Sequence, residues 1–454
     1  MLEKNQRIEL DISGFTAEGF GVGHCGGIAV FVPNTSIGDK ILCHIIKAKK
    51  TYCIGKAVEI LCASPMRVES DCGVFMQCGG CVFRHIGYDS ELAVKYERVR
   101  ETFRRIGHLE PVLRPIIRAE EINGYRNKAQ YPVQLVNGEL KIGFYAHSSH
   151  RVINCRECLL QPPEFSEILA AFERWISASG ASVYNELTGK GLLRHIYIRK
   201  AFATGEIMAA AVINGESVPL ADMLVSELLK TAGVKSIVLN INRRDTNAVL
   251  GGRCVTLWGS DYIEDELCGI RVRISPLSFY QVNRAQAQRL YEKAAEYAAL
   301  SGTETVLDMY CGAGTIGLSL AGRAANVIGA EIVPEAVADA RINARINGIS
   351  NSEFICADAS GAALELRQRG IKPEVVIIDP PRKGCEEQVL ETLCEMNPGK
   401  IIYVSCDPAT LARDCEILSR LGYDITECTP VDLFPRTAHV ENVALLVKRD
   451  ENKQ

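Results

Sequence analysis

The residues able to do chemistry gather in the last third of the chain, each at the end of an apolar run of strand length. Cys406 follows the run 401–405 and precedes Asp407-Pro408; a thiol at such a strand end is partly exposed and, as thiolate, is a nucleophile. Asp379 closes the run 375–379 and opens the tetrad Asp379-Pro380-Pro381-Arg382. Glu441 stands just before the final run, 443–447, where a carboxylate can reach a cleft as a base; as bare sequence it is equally a surface glutamate. Upstream, Asp308-Met309-Tyr310-Cys311-Gly312-Ala313-Gly314-Thr315-Ile316-Gly317 reads as strand, glycine turn and helix start. Gly312 and Gly314 permit a tight turn and close approach of a ligand, and Glu331, about twenty residues on, can accept hydrogen bonds from ribose hydroxyls.

The glycine pattern alone suits a nicotinamide dinucleotide as well as S-adenosylmethionine. A dehydrogenase has no need of Asp-Pro-Pro followed by an isolated cysteine, and amino-group methylases usually place an aromatic residue where Arg382 stands. A thiol, a carboxylate and a methyl donor at one sheet edge suit methylation of carbon 5 of uracil. That carbon is too weak a nucleophile to attack a methyl sulfonium unaided. A thiolate adding to carbon 6 makes an enolate with charge on carbon 5, which takes the methyl group and displaces the donor's sulfur as a thioether; a base then removes the carbon 5 proton and elimination returns the thiol. The alternative for Cys406 is a buried core cysteine.

These motifs need a sheet to hold them. From residue 274 the runs 305–309, 326–331, 375–379 and 401–405 alternate with helical segments, the pattern of a doubly wound, Rossmann-like α/β domain that binds ligands at the carboxyl ends of its strands. Residues 1–61 read as a small OB-like β-barrel, with runs at 8–12, 28–32, 40–46 and 52–60 separated by glycine-rich turns at 19–23 and 26–27. Residues 62–90 are cysteine-rich and irregular. A helix is predicted over 90–106, with Leu92, Tyr96, Val99 and Phe103 on one face. The stretch 123–272 mixes runs at 129–136, 195–200, 207–213 and 236–240 with helical segments near 164–179 and 219–232, an α+β region.

A chain of 454 residues, 47% hydrophobic and 23% charged, has the composition of a globular protein with more than one compact unit. No apolar stretch reaches the length of a membrane span, and Met1-Leu2-Glu3-Lys4-Asn5-Gln6-Arg7 lacks the apolar run of a secretory signal, so a cytoplasmic location is expected. In that compartment the 18 cysteines are thiols, metal ligands or nucleophiles rather than disulfides. Cys78-x-x-Cys81 and Cys155-x-x-Cys158 have the spacing of zinc knuckles, with Cys72 left over. The formal net charge of −4 argues against a nucleic-acid partner. Against it stand two basic clusters, Lys47, Lys49 and Lys50, and Arg98, Arg100, Arg104 and Arg105, each a solvated face or an RNA contact.

Assembled, the motifs resemble the RNA uracil-5-methyltransferase family, in particular its 23S rRNA branch with an N-terminal TRAM domain. The resemblance spans almost the whole chain. It rests on Ser278-Phe279-Tyr280-Gln281-Val282-Asn283, the glycine turn 308–314, Asp379-Pro380-Pro381-Arg382, Ser405-Cys406-Asp407-Pro408-Ala409-Thr410-Leu411-Ala412-Arg413-Asp414, and 434–441. It implies that Cys406 is the nucleophile and Glu441 the general base. It places Gln281, Tyr310, Glu331 and Asp379 at S-adenosylmethionine contacts, along with Gly312 and Gly314 in the turn, and Asp358 as a further candidate. Asp379 is also implied to face the target base. RNA cytosine-5 methylases of another family carry a second cysteine in an Asp-x-Pro motif; Pro381 and Arg382 stand here instead, which favours uracil.

By the same resemblance Cys72, Cys78, Cys81 and Cys158 hold a 4Fe-4S cluster with a structural or RNA-binding task, zinc being the alternative and Cys155 the extra thiol. Arg126 and Lys128 match a segment associated with RNA contact. The implied organisation is a TRAM/OB-like barrel over 1–61, a central α+β domain with the cluster over 62–90 and 118–273, and a methyltransferase domain over 91–117 and 274–454. The expected partner is RNA, 23S rRNA first; no membrane is expected, and a monomer is favoured. A tRNA uridine target is the nearest alternative, against which the barrel and the cysteine cluster argue. A catalytically idle RNA-binding or ribosome-assembly factor is the other, against which Cys406 and Glu441 together argue.

Overall fold

The computed structural model describes residues 2–450; Met1 and residues 451–454, at the ends of the expected first and last domains, lie outside the described residues. The chain divides into two compact units. One runs through Val99 and adds Phe144–Ile153 and Phe434–His439; the other comprises Arg100–Gly143, Asn154–Leu433 and the stretch from Val440.

The first unit opens with five strands, β1 (Arg7–Phe15), β2 (Gly21–Cys25), β3 (Ile28–Val32), β4 (Lys40–Ala48) and β5 (Tyr52–Cys62), closed into a barrel in the order β1-β2-β3-β5-β4. Alternation along the strands fills its interior with Leu10, Ile12, Val30, Val32, Ile41, Cys43, Ile45 and Cys53. β2 corrects the reading of 19–23 as a turn. Gly19, at φ 85°, does turn the chain, but Gly21 and Gly23 are strand residues. A Cβ on Gly21 would lie 2.0 Å from Thr35 Oγ1, and one on Gly23 would lie 2.5 Å from the carbonyl oxygen of Asp11. Glycine signals close backbone approach as readily as a turn.

After the irregular stretch 63–87, helix α1 (Tyr88–Thr102) runs into a single π turn, Phe103–Gly107. Leu92, Val99 and Phe103 are buried, as the helical spacing predicts, while Tyr96 is half-buried. In the first unit Glu91 and Lys95, both buried, pair at 2.7 Å. Glu91 also accepts the Arg436 N–H at 2.7 Å, Lys95 donates to the Phe434 carbonyl at 3.1 Å, and Arg98 donates to that of Ala438 at 2.8 Å. Buried charges persist where each is hydrogen-bonded in this way, and the loop so held is the one that leads along the chain to Glu441.

The second unit contains most of the remaining elements. These begin with β6 (Val112–Leu113), β7 (Lys128–Val136), β8 (Glu139–Tyr145), β9 (Val152–Asn154), α2 (Glu164–Ser179), β10 (Leu193–Lys200), β11 (Ile207–Ile213), α3 (Ala221–Leu228), β12 (Val234–Ile241) and β13 (Arg253–Gly259). Strands β13-β12-β11-β10-β7-β8-β9 form one sheet in that order. A hairpin, β14 (Ile263–Leu267) and β15 (Ile270–Ile274), leads to α4 (Arg284–Ala298), whose N-cap Asn283 accepts the Gln286 N–H at 3.2 Å.

The C-terminal sheet is built from β16 (Thr305–Met309), β17 (Asn326–Glu331), β18 (Ser352–Cys356), β19 (Val375–Ile378), β20 (Lys400–Ser405), β21 (Tyr423–Val431) and β22 (Glu441–Lys448). Helices α5 (Thr315–Leu320), α6 (Pro334–Ile346), α7 (Ala359–Gln368), α8 (Glu387–Glu395) and α9 (Pro408–Arg420) alternate with them. With β6 the order is β18-β17-β16-β19-β20-β22-β21-β6. Strands β16 to β20 pair in parallel, and β22 runs antiparallel between β20 and β21. The central strands are buried on both faces and so appear as continuous apolar runs. Edge strand β18, with Phe354 and Ile355 buried but Glu353 and Cys356 exposed, gives no such run. Among the described residues no helix is long and apolar enough to cross a membrane.

Candidate active site at the carboxyl edge of the parallel sheet

β16 has β17 on one side and β19 on the other, so the winding reverses there and a crevice opens beyond the carboxyl ends of the strands. The chain leaves β16 through Tyr310 at φ 62°, then Gly312 at 54° and Gly314 at 78°, the N-cap of α5. A Cβ on Gly314 would also lie 3.0 Å from the Phe354 ring, so packing and dihedral both call for glycine. Glu331, the last residue of β17, accepts the N–H of Gly312 at 3.1 Å and of Val333 at 2.9 Å, which fixes its carboxylate at the turn. The Gln281 carbonyl accepts from Asn127 Nδ2 at 2.8 Å, and its side chain hydrogen-bonds the Tyr291 hydroxyl. Asp358 is exposed and caps α7, its Oδ1 accepting the Gly361 N–H at 2.7 Å.

Strand register brings the reactive groups together. Ser405 of β20 pairs with Asn442 of β22 in an antiparallel ladder, so one step further sets Cys406 opposite Glu441. Met309 of β16 pairs with Ile378 of β19 in a parallel ladder, so Tyr310 and Asp379 leave the sheet side by side. Cys406 is half-buried and sits just ahead of α9, whose N-cap Asp407 accepts the Ala409 N–H at 2.8 Å. The positive end of that helix dipole favours a thiolate.

Charge repulsion and burial act the other way. Burial first, then Glu441 and Asp379, push the Cys406 thiol up to about 11, opposed by Arg382. Glu441, only 5% exposed, rises to about 8 through burial and then Asp379, again opposed by Arg382. Burial raises Asp379 to about 7. Three acids and one guanidinium thus share a poorly solvated crevice, and near neutrality Cys406 and Glu441 keep their protons. Perturbed carboxyls beside a nucleophile mark functional sites more often than structural ones.

Three features escaped the sequence reading. Asp308 is wholly buried in β16, accepts the Gly317 N–H at 2.8 Å and is raised to about 7, chiefly by burial; its signal was a carboxylate inside an apolar strand. Arg382 served only to tell one base from another, yet it is the cation that offsets the acids at Cys406 and Glu441. Asp414 of α9, also wholly buried, accepts the Tyr403 hydroxyl at 2.5 Å, the Cys385 N–H at 2.8 Å and Arg413 Nε at 2.7 Å. Arg413 in turn donates to the Lys383 carbonyl at 3.0 Å, so the loop after Arg382 is tied to the helix that begins after Cys406.

The expected metal ligands divide between the two units. Cys72, Cys78 and Cys81 lie in the first unit and Cys158 in the second. Among the described residues no three His, Cys, Asp or Glu side chains are grouped to hold a metal ion. Thiolates have the donor chemistry for iron or zinc. Arg126 and Lys128 are half-buried at the start of β7, with the Arg126 guanidinium 5.9 Å from the centre of the Tyr125 ring.

The sequence model of the tRNA (Uracil-5-)-methyltransferase family matches residues 256–449, and that of the TRAM domain matches residues 2–58. An uncharacterized RNA methyltransferase of Clostridium acetobutylicum is 44% identical over 457 residues, covering 99% of each chain. One from Halalkalibacterium halodurans is 42% identical over 447 residues, covering 98% of each. Among solved structures, the tRNA (uracil-54, C5)-methyltransferase of Pyrococcus abyssi in complex with S-adenosyl-L-homocysteine matches with a TM-score of 0.79 and 30% identity, over 97% of this chain and 99% of that one.

Proposed function

Since this chain belongs to the RNA uracil-5-methyltransferase family and carries a TRAM domain, we propose that it methylates carbon 5 of uridine in 23S rRNA, with S-adenosylmethionine as donor and a covalent Cys406–uracil intermediate. The observation that carries this reading is that the β20–β22 ladder ends at Ser405 and Asn442, next to Cys406 and Glu441, and that Glu441 and Asp379 both act electrostatically on Cys406. The donor supplies a methyl group on a positively charged sulfur. Gln281, Tyr310, Glu331 and Asp379, with Gly312 and Gly314, form its side of the crevice; Asp358, occupied as a helix cap, is the outlying member of that set.

Cys406 adds as thiolate to carbon 6. The electron pair released to carbon 5 would attack the donor's methyl carbon, its sulfur leaving as the neutral thioether; Glu441 takes the carbon 5 proton, and that electron pair re-forms the 5,6 double bond as Cys406 leaves as thiolate. A resting thiol near 11 gives almost no thiolate at neutral pH. Ionisation therefore belongs to the loaded site, where Arg382, the α9 dipole and the donor's positive charge act across a crevice from which water is excluded.

The barrel and the cysteine-rich segment support the rRNA target. A tRNA target is the second reading, favoured by the near full-length likeness to the Pyrococcus abyssi tRNA enzyme. Mass mapping of RNA from a strain lacking the protein separates them. The expected result is loss of 5-methyluridine from 23S rRNA; loss from tRNA with rRNA unchanged would move the assignment to the second reading.

A 4Fe-4S cluster on Cys72, Cys78, Cys81 and Cys158, zinc being the alternative, belongs to the same proposal. These four thiols are half-buried whereas Cys155 is buried, which supports Cys155 as the extra one. No step of methyl transfer runs through them. Protein purified without oxygen should contain iron and acid-labile sulfide in equal amounts; zinc without sulfide would select the alternative.

A further inference from the structure

Helix α4 begins just after Gln281, and Ala287, Leu290, Tyr291, Ala294 and Ala298 lie on its buried face. The apolar members need only packing. Tyr291, 4% exposed, also carries a hydroxyl, which must be partnered where water does not reach. Its partners come from two separate segments. One is Thr315 Oγ1 at 3.5 Å, on the first residue of α5, directly after Gly314 of the glycine turn. The other is the side chain of Gln281. Asp379 and Asp308 lie close enough to act on the same hydroxyl electrostatically. One phenol thus stands where the segments carrying Gln281, the glycine turn and Asp379 come together.

The backbone at Gln281 is fixed independently. Asn127 Nδ2 donates to its carbonyl at 2.8 Å, and the Asn127 N–H donates to the carbonyl of Val282 at 2.8 Å. Those bonds leave the Gln281 side chain several rotamers. Fixing a glutamine in one of them loses entropy, and a hydroxyl that fixes it beforehand spares a ligand that loss. An amide has an oxygen that accepts and a nitrogen that donates. With one end bonded to Tyr291, the other is left for a ligand at the glycine turn. Burial first, then Asp379, hold Tyr291 above the usual tyrosine range, so its hydroxyl stays neutral.

We propose that Tyr291 is a positioning residue for the methyl donor: its hydroxyl holds the Gln281 amide beside the glycine turn, ready for S-adenosylmethionine before the donor arrives. This deepens the donor-binding part of the methylation reading and rests on it. Tyr291 acts on donor affinity rather than on the chemical step, since its hydroxyl partners are Gln281 and Thr315 rather than Cys406 or Glu441.

Tyr291→Phe keeps the ring in the core and removes only the hydroxyl. S-adenosylhomocysteine binding to the full chain is measured by calorimetry for wild type, Tyr291→Phe, Gln281→Ala and the double variant. One net hydrogen bond corresponds to about a two- to tenfold change in affinity. Tyr291→Phe is expected to weaken binding by that factor, and to have no further effect in the Gln281→Ala background, because the hydroxyl works through the amide it holds. With total RNA from a strain lacking the protein as acceptor, the KM for S-adenosylmethionine should rise by the same factor while kcat at saturating donor holds. A tyrosine that served only the packing of α4 would give equal effects in both backgrounds, or none. Either result, or a fall in kcat with KM unchanged, overturns the proposal. Wild-type protein that failed to bind S-adenosylhomocysteine would overturn the donor reading as well, whereas an unchanged affinity in Tyr291→Phe defeats the positioning role alone.

Discussion

Cys406→Ala abolishes methyl transfer and leaves no denaturant-resistant complex with RNA containing 5-fluorouridine, whereas the wild-type chain stays attached to that RNA. Fluorine at carbon 5 cannot be removed as a proton can, so the reaction halts after methyl transfer with the carbon–sulfur bond intact. Removing a covalent nucleophile costs a factor of about 10⁴–10⁶ in turnover when the rest of the site is kept. Cys406→Ser falls nearly as far, since a serine hydroxyl is much harder to ionise than a thiol. S-adenosylhomocysteine affinity serves as the control and should be unchanged in both variants, because the glycine turn follows β16 and Glu331 ends β17, while Cys406 follows β20. Retained turnover in the alanine variant would sink the covalent mechanism. Wild-type protein that dissociates from the fluorinated RNA in denaturant would instead fit a binding or assembly factor.

The parts of this site that could be read in advance are those that repeat along a single strand. The runs 207–213, 305–309 and 326–331 are strands with those same bounds, because strands buried on both faces are apolar without interruption. The end of the last locates Glu331, and the ends of the runs 375–379 and 401–405 locate Asp379 and Cys406. Pairing between distant segments leaves no such trace. Glu441 is indistinguishable from a surface glutamate until the register of β22 against β20 sets it opposite Cys406. β2 hid behind glycines that serve packing as well as turning, and β18 behind the polar residues of an edge. Tyr291 is one more core residue of α4 until the fold brings Gln281 and Thr315 to its hydroxyl. Asp414 is the same case on another helix: its three hydrogen-bond partners are separated from one another in sequence and meet only once α9 packs on the sheet.

Glu441→Gln separates the two halves of the reaction. Addition and methyl transfer need Cys406 and the donor, but release needs the carbon 5 proton removed, so the variant is expected to accumulate methylated adduct on ordinary uridine RNA while turnover falls by about 10²–10⁴, the usual contribution of a general base. In wild type, kcat should climb with pH until Glu441 has lost its proton near 8, and the glutamine variant should lack that limb. The same carboxyl bears on stability with a definite sign. Its folded value of about 8 lies above the ordinary 4.5, so between those values the folded chain holds a proton that the unfolded chain has released. Wild-type stability therefore falls as pH rises through that window, by an amount on the order of a few kcal/mol once Glu441 is ionised in its buried position. Glutamine carries no charge to bury. The variant should outmelt wild type above pH 8, and the difference should vanish as pH approaches 4.5. A catalytically important carboxylate kept at a cost in stability is a strained functional group; full turnover in the glutamine variant would show that Glu441 is not the base, and a variant no more stable than wild type at high pH would show that it is not a buried acid under strain.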